Sequence, residues 1–209
     1  MSVKSEGIAA KDTIRNLIVS GQLSTGRPID VEQVATLWEI SPNSVAEALA
    51  SLETEGFVTY SARGPVVRPI SAEEIEAWVQ KRYSLEIPIV EQLSSHADQS
   101  VLSVIKKSLS EQREALANDD VVRFLELNAD FHYLLADLAG FHTAAYWFKL
   151  ESARLRISGL KALNTKEKFR NCFEEHEAIV KAIESRNPLD ARKAMAHHLD
   201  QTEERISAS

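Results

Sequence analysis

The sequence predicts a mainly α protein in two parts, three short helices with a β-hairpin and then an antiparallel bundle of six longer helices. Three observations predict it. Glycine and proline are concentrated early: five of the seven glycines and four of the six prolines lie before residue 71. The first third is therefore short elements joined by turns. Apolar residues recur at helical spacing through the remainder. Two β-prone runs, Phe57-Val-Thr-Tyr-Ser and Val66-Val-Arg-Pro, flank Ala62-Arg63-Gly64-Pro65 and read as a hairpin.

In order along the chain, 9–20 places Ile14, Leu17 and Ile18 on one helical face, with Gly21 as a stop. Asp30 can cap a second helix carrying Val31, Val34, Ala35 and Leu37. Ser41-Pro42 has the form of an N-cap followed by proline at the first helical position. Ser44 and Glu47 also have capping-box spacing, which leaves that start open by one turn. Val45, Leu49 and Leu52 form the stripe of this third helix, and Gly56 ends it. Three helices and a hairpin in about seventy residues is the order of a winged helix-turn-helix. Past Ile70, Ser71-Ala-Glu-Glu74 is a capping box opening a helix that Pro88 should kink. Helical patterns follow at 100–118, 120–138, 143–162, 165–186 and 188–206, the last opened by Asn187-Pro188. Short connections make these six an antiparallel bundle.

The 209 residues are 44% hydrophobic and 26% charged, enough chain and enough apolar matter for two modest folded domains, 1–70 and 71–209. No apolar run approaches the ~18–20 residues of a membrane helix. The start, Met1-Ser-Val-Lys-Ser-Glu-Gly, lacks an apolar signal core. The single cysteine, Cys172, fits a reducing cytoplasm and reads as a small buried apolar residue. The net charge of −7 weighs mildly against nucleic-acid binding.

The stretch Ile14-Arg15-x-x-Ile18-x-x-Gly21-x-Leu23-x-x-Gly26 resembles the opening of GntR-type transcriptional regulators. So does Glu47-Ala48-Leu49-x-x-Leu52-Glu53-x-Glu55-Gly56-Phe57-Val58, with Arg63-Gly64 at the wing tip. The second part resembles the FCD (FadR C-terminal domain-like) effector-binding domain, and six helices suit its shorter, VanR-like variety. Its marks are Arg82-x-x-Leu85-Glu86, Asn128-x-x-Phe131-His132, Glu175-His176-x-x-Ile179 and Ala194-Met195-x-x-His198-Leu199. The resemblance spans about residues 8 to 204 and implies a homodimeric, effector-responsive regulator of a double-stranded DNA operator.

The departures fall where DNA contact is expected. Such regulators usually read Ser-Arg-x-Pro-Val-Arg-Glu-Ala-Leu where this chain reads Ser41-Pro42-Asn43-Ser44-Val45-Ala46-Glu47-Ala48-Leu49. Both arginines are replaced, by Pro42 and Ala46, and Glu32 stands where arginine is common. Residues 1–70 hold six Lys/Arg (4, 11, 15, 27, 63, 68) against eight Asp/Glu (6, 12, 30, 32, 39, 47, 53, 55), a net −2. Each bidentate arginine–guanine pair is worth roughly 1–3 kcal/mol of discrimination, so the loss weakens sequence reading. The remaining DNA-contact candidates are Arg27, Asn43, Ser44, Arg63 and Gly64, with Lys11 and Arg15 for the phosphate backbone. Capping is the competing role for Asn43 and Ser44, and a solvated turn for Arg63.

Of six histidines, His132 follows Asn128 by four residues, so both leave one helical face. The resemblance implies a metal site from Asn128, His132, His176 and His198, with His197 pointing about 100° away from His198. Imidazoles suit Zn²⁺ or Ni²⁺. Asn128 would be a neutral fourth donor, leaving the ligand set without negative charge and favouring an anion in the shell. His96 and His142 read as exposed or hydrogen-bonded. Arg82, four before Glu86, is expected to clamp a carboxylate effector, with Arg154 and Arg156 as further candidates. Phe131, Tyr133, Trp147 and Phe148 read as core or pocket wall. Two other functions compete with a regulator sensing a small organic acid: a metal- or carboxylate-binding protein that has lost DNA reading, and a metal-dependent enzyme, for which Asp130 is on the wrong face to serve as base.

Overall fold

The computed structural model describes residues 3–208 and divides the chain into two compact units, Met1–Ile70 and Ser71–Ser209. In the first unit, α1 (Val3–Val19), α2 (Val31–Trp38) and α3 (Pro42–Thr54) precede β1 (Val58–Ser61) and β2 (Gly64–Val67). Both α1 and α2 pack on α3, burying Ile14, Ile18, Val45, Leu49 and Leu52. Ser41 caps α3 by accepting from the Ser44 N–H, with Pro42 in the first turn, so the earlier of the two candidate starts is the real one. The αL residue Glu39 turns the chain between α2 and α3.

The second helix turns differently from its expected stripe. Leu37 is 75% exposed, because the face against α3 is Val31, Val34, Ala35 and Trp38, and Leu37 lies two residues, or about 200°, round from Ala35. The hairpin pairs Val58 with Val67 and Ser61 with Gly64, which narrows its loop to Ala62-Arg63. Gly64, at φ +103°, takes a backbone conformation that a side chain would strain. Residues 26–29 run beside β2, with Gly26 N–H donating to Val67 and Ile29 N–H to Pro65.

The second unit is all helix: α4 (Ala72–His96), α5 (Gln99–Ala117), α6 (Val121–Leu138), α7 (His142–Leu150), α8 (Ser152–Ala162), α9 (Lys166–Glu184) and α10 (Pro188–Ser207). Ser71 and Glu74 complete the capping box of α4. That helix runs on through Pro88 to His96. Pro88 and Ser84, whose carbonyl the proline cannot serve, are both exposed residues.

Among the described residues, seven helical segments stand where six are expected, because 143–162 breaks at Glu151 (φ −87°, ψ 4°). The break is tertiary in origin. Segment α7 packs Ala144, Ala145 and Phe148 toward α6, whereas α8 lies across α6 and α10 and buries Leu155 and Ser158. One straight rod cannot meet both surfaces. The core lies among α4, α6, α9 and α10 around Phe131, Leu135, Ile179 and Leu199.

Candidate functional site

Helical spacing assembles a polar cluster in the middle of this apolar bundle. His132 on α6, His176 on α9 and His198 on α10 are 1%, 0% and 2% exposed, and one ring nitrogen of each lies within 4.8 Å of the other two. Their rings contact one another, with centroids 4.8 to 5.4 Å apart, and Phe131 stacks on His176 at 4.3 Å.

Each imidazole is oriented through Nδ1 by an acceptor on another helix or another turn. His132 donates to Glu86 Oε2 at 2.6 Å, His176 to Gln112 Oε1 at 2.8 Å and His198 to Glu175 Oε2 at 2.9 Å. With the proton on Nδ1, Nε2 carries the lone pair. The Nε2 atoms of His176 and His198 are buried without a hydrogen-bond partner. Burial, reinforced by the neighbouring histidines and Arg82, lowers the pKa of His176 and His198 well below the ordinary value. Burial also lowers that of His132, against the pull of Glu86. All three are therefore neutral near pH 7, with lone pairs available to an electrophile.

Two buried ion pairs flank the cluster. Arg82 Nε donates to Glu86 Oε1 at 2.5 Å, and its Nη2 lies 3.0–3.1 Å from both ring nitrogens of His132. The guanidinium also sits 5.1 Å from the centre of the Trp78 ring. Burial pushes the Glu86 carboxyl up, but Arg82 and His132 outweigh it and hold it well below the usual carboxylate range. On the other side, Arg205 forks onto both oxygens of Glu175. Asn128, 7% exposed, accepts from the Cys172 thiol at 3.5 Å. Burial and then Glu175 push that thiol up to about 12, so Cys172 is the small protonated core residue expected of it. Asn128, Arg82, Cys172, His198 and Arg205 all line one cavity of about 20 Å³.

Of the expected site residues, the structure thus brings together Asn128, His132, His176, His198 and Arg82. His197 is exposed, as its position beside His198 requires. His96 bonds to the Gln92 carbonyl oxygen and His142 to Asp137, both on the surface. Arg154 and Arg156 are corrections. Arg154 pairs with Glu151 and Glu74, and Arg156 with Glu126, so neither borders the cavity. Their helix begins afresh after the Glu151 break, which sets the face they occupy. Gln112, Arg205 and the orienting roles of Glu86 and Glu175 escaped the sequence reading. Arg205 carried a signal, being seven residues and so two turns beyond His198 on the same face. Gln112 carried none, since only packing brings α5 to His176.

In the first unit, Arg27 and Arg63 are exposed, the latter at the hairpin tip beside Gly64. Asn43 is exposed and donates to Glu47. Ser44 is a correction: it is fully buried, with its hydroxyl against Ser41 Oγ at 2.9 Å, and belongs to the cap rather than to a DNA-facing surface. Lys11 is held by Glu55, and Arg15 by Asp12 and Glu55. Between Pro42 and Thr54 there is no lysine or arginine, and Asn43, Ala46, Glu47 and Ala50 make up its exposed start.

Residues 78–201 match the FCD domain, and residues 8–67 match bacterial regulatory proteins of the gntR family. The HTH-type transcriptional repressor RspR of Escherichia coli (strain K12) is 23% identical over 196 residues, which cover 92% of this chain and 85% of the repressor. The HTH-type transcriptional repressor NanR of Klebsiella aerogenes is 27% identical over 217 residues, covering 90% and 80%. A GntR transcriptional regulator from Rhodococcus sp. RHA1 has the same fold, with a TM-score of 0.79 at 20% identity over 98% of this chain and 99% of that one. E. coli McbR/YncC aligns with a TM-score of 0.72 at 15% identity, over 100% and 98%. No described helix is long and apolar enough to cross a membrane. These relatives are regulators rather than enzymes, which removes the metal-dependent enzyme from the competing readings. The chain belongs to the gntR family of bacterial DNA-binding transcriptional regulators, with an FCD domain as its second unit.

Proposed function

We propose that this regulator responds to a small organic acid bound beside a divalent metal ion in the helical unit. The observation that carries the reading is the pair of buried, unpartnered Nε2 atoms on His176 and His198, each with Nδ1 tied back to an acceptor. A buried polar atom left without a partner costs about 1–3 kcal/mol. Two such atoms among three converging imidazoles are explained by an electrophile that completes them. The second acceptors, Glu86, Gln112 and Glu175, fix ring orientation in the way that metal-binding histidines require. His132, His176 and His198 would hold the ion, with Asn128 one turn from His132 as a neutral fourth donor. Zn²⁺ and Ni²⁺ suit such donors. A bound ion would supply a Lewis-acid centre able to take an anionic oxygen ligand.

Charge balance favours an acid as that ligand. The imidazoles are neutral, and Glu86 and Glu175 are already matched by Arg82 and Arg205. A dication therefore enters with no protein charge to compensate it, and an anion restores neutrality in a buried site. Effector control of DNA binding then requires that the acid bind one arrangement of a homodimer better than another. Metal analysis of the native protein tests the reading, with His132→Ala and His176→Ala expected to abolish stoichiometric metal. Retention of full metal content in both variants would remove the site. A gel-shift assay on upstream DNA tests the regulatory half. Absence of binding even at low salt would favour a binding protein whose DNA reading has lapsed, as the cation-free α3 suggests.

A further inference from the structure

Of the three Nε2 atoms a metal ion would use, two are without a partner and the third has a cation beside it. The proton on His132 Nδ1 is committed to Glu86, so that nitrogen cannot accept another hydrogen bond. Arg82 Nη2 lies 3.0 Å from Nε2 and 3.1 Å from Nδ1, so its guanidinium caps the ring beside the one lone pair left rather than along it. His176 and His198 have no such cap. We infer that Arg82 gates the metal site: its guanidinium is held against the His132 ring in the metal-free protein, and this positive charge must move away before a divalent ion can engage all three imidazoles. The inference rests on the metal reading above and adds how the site is controlled.

Two features of the cavity support a gate. Its volume of about 20 Å³ holds roughly one water, taking ~10–15 Å³ per water by the same measure, so no carboxylate enters unless a wall residue moves. Arg82 is one of those walls. Its Nε stays anchored on Glu86 at 2.5 Å, so Nη2 can leave His132 while the ion pair survives. Once released, Nη2 is a charged donor in search of an acceptor, and a carboxylate supplies one. Metal and acid then favour each other's binding, and this coupling is reciprocal. An anion without a metal meets a site still closed by its own arginine.

The test is a Zn²⁺ titration of the full chain, followed by NMR of isotope-labelled histidine and arginine side chains. The metal-free protein should show a through-space contact between the Arg82 guanidinium protons and the His132 ring. Zn²⁺ should abolish that contact while shifting the Nε2 signals of all three histidines. Persistence of the contact at saturation, or shifts confined to His176 and His198, overturns the gate and leaves the metal site standing. No shift at any of the three overturns the metal reading and the gate with it. As a second measure, Arg82→Gln should bind Zn²⁺ roughly ten- to a hundredfold more tightly, because no positive charge has to be moved off the ring first. Unchanged or weaker affinity in the folded variant overturns the gate. The wild-type spectra carry the test if Arg82→Gln, which leaves Glu86 buried without its cation, does not fold.

Discussion

At Gln112 the side chain is fully buried, with Oε1 accepting from His176 Nδ1 and Nε2 without a partner. A glutamine kept there at such a desolvation cost is explained by the ring it orients. Gln112→Leu keeps the volume but strands the His176 N–H, which costs about 1–3 kcal/mol of stability unless the ring flips. Loss of an orienting partner typically lowers metal affinity 10–100-fold. Metal affinity lowered at least tenfold, with a normal circular-dichroism spectrum, is the expected result, and unchanged affinity would detach Gln112 from the site. Sequence periodicity has a clear limit at this residue. Asn128 and His132, four apart on α6, are visible as a pair in any helical projection, whereas Gln112 and His176 are 64 positions apart and meet only because α5 packs on α9.

At the scale of the element, Gly159 in α8 shows packing overruling propensity. Alanine in place of glycine ordinarily stabilises a helix by about 1 kcal/mol. A Cβ here would come within 2.7 Å of Leu125 Cδ2, and Leu125 is fully buried with little room to retreat. Overpacking costs typically 1–3 kcal/mol, so Gly159→Ala should lower stability by about 1 kcal/mol in urea unfolding. A stabilised variant would show that α8 has slack against α6. The recognition helix offers a different experiment. Pro42 and Ala46 both face solvent on α3, so Pro42→Arg with Ala46→Arg adds two cations without disturbing the core. The slope of log affinity against log salt should steepen by about 0.9 for each additional phosphate that the new arginines neutralise. Circular dichroism must first exclude loss of helix from removal of the N-terminal proline. If the unmodified protein already binds DNA tightly with a steep slope, the cations at Arg27 and Arg63 suffice and the two arginines were dispensable.

For the whole molecule, the buried titratable groups set the response to acid. The three histidines have folded pKa values below the ordinary ~6.5, so the unfolded chain takes up protons first as pH falls. Their contribution is complete above about pH 6.5 and declines below it by about 1.4 kcal/mol per pH unit for each ring that stays neutral. Glu86, also lowered, adds its own loss only as pH falls below the ordinary ~4.3 and on through its folded value. Glu175, raised by burial against the pull of Arg205, works in the opposite sense, and one carboxyl does not offset three imidazoles. Urea midpoints measured with a chelator present should therefore fall steeply between pH 7 and 5. A flat profile would mean that the histidines are protonated or solvated in the native state. The sequence by itself determined the order of elements, the division near residue 70, the caps at Asp30, Ser71 and Asn187, and the inward face carrying Asn128 and His132, because turn chemistry, capping and helical period are local. Tertiary structure alone decided that 143–162 breaks at Glu151, that Leu37 faces solvent and Ser44 does not, and that Arg154 and Arg156 pair with Glu74, Glu151 and Glu126 rather than line the cavity. It also decided that Gln112, Glu175 and Arg205 complete the cluster, since which neighbour covers a face, and which buried donor finds which acceptor, depends on helices that meet only after the chain has packed.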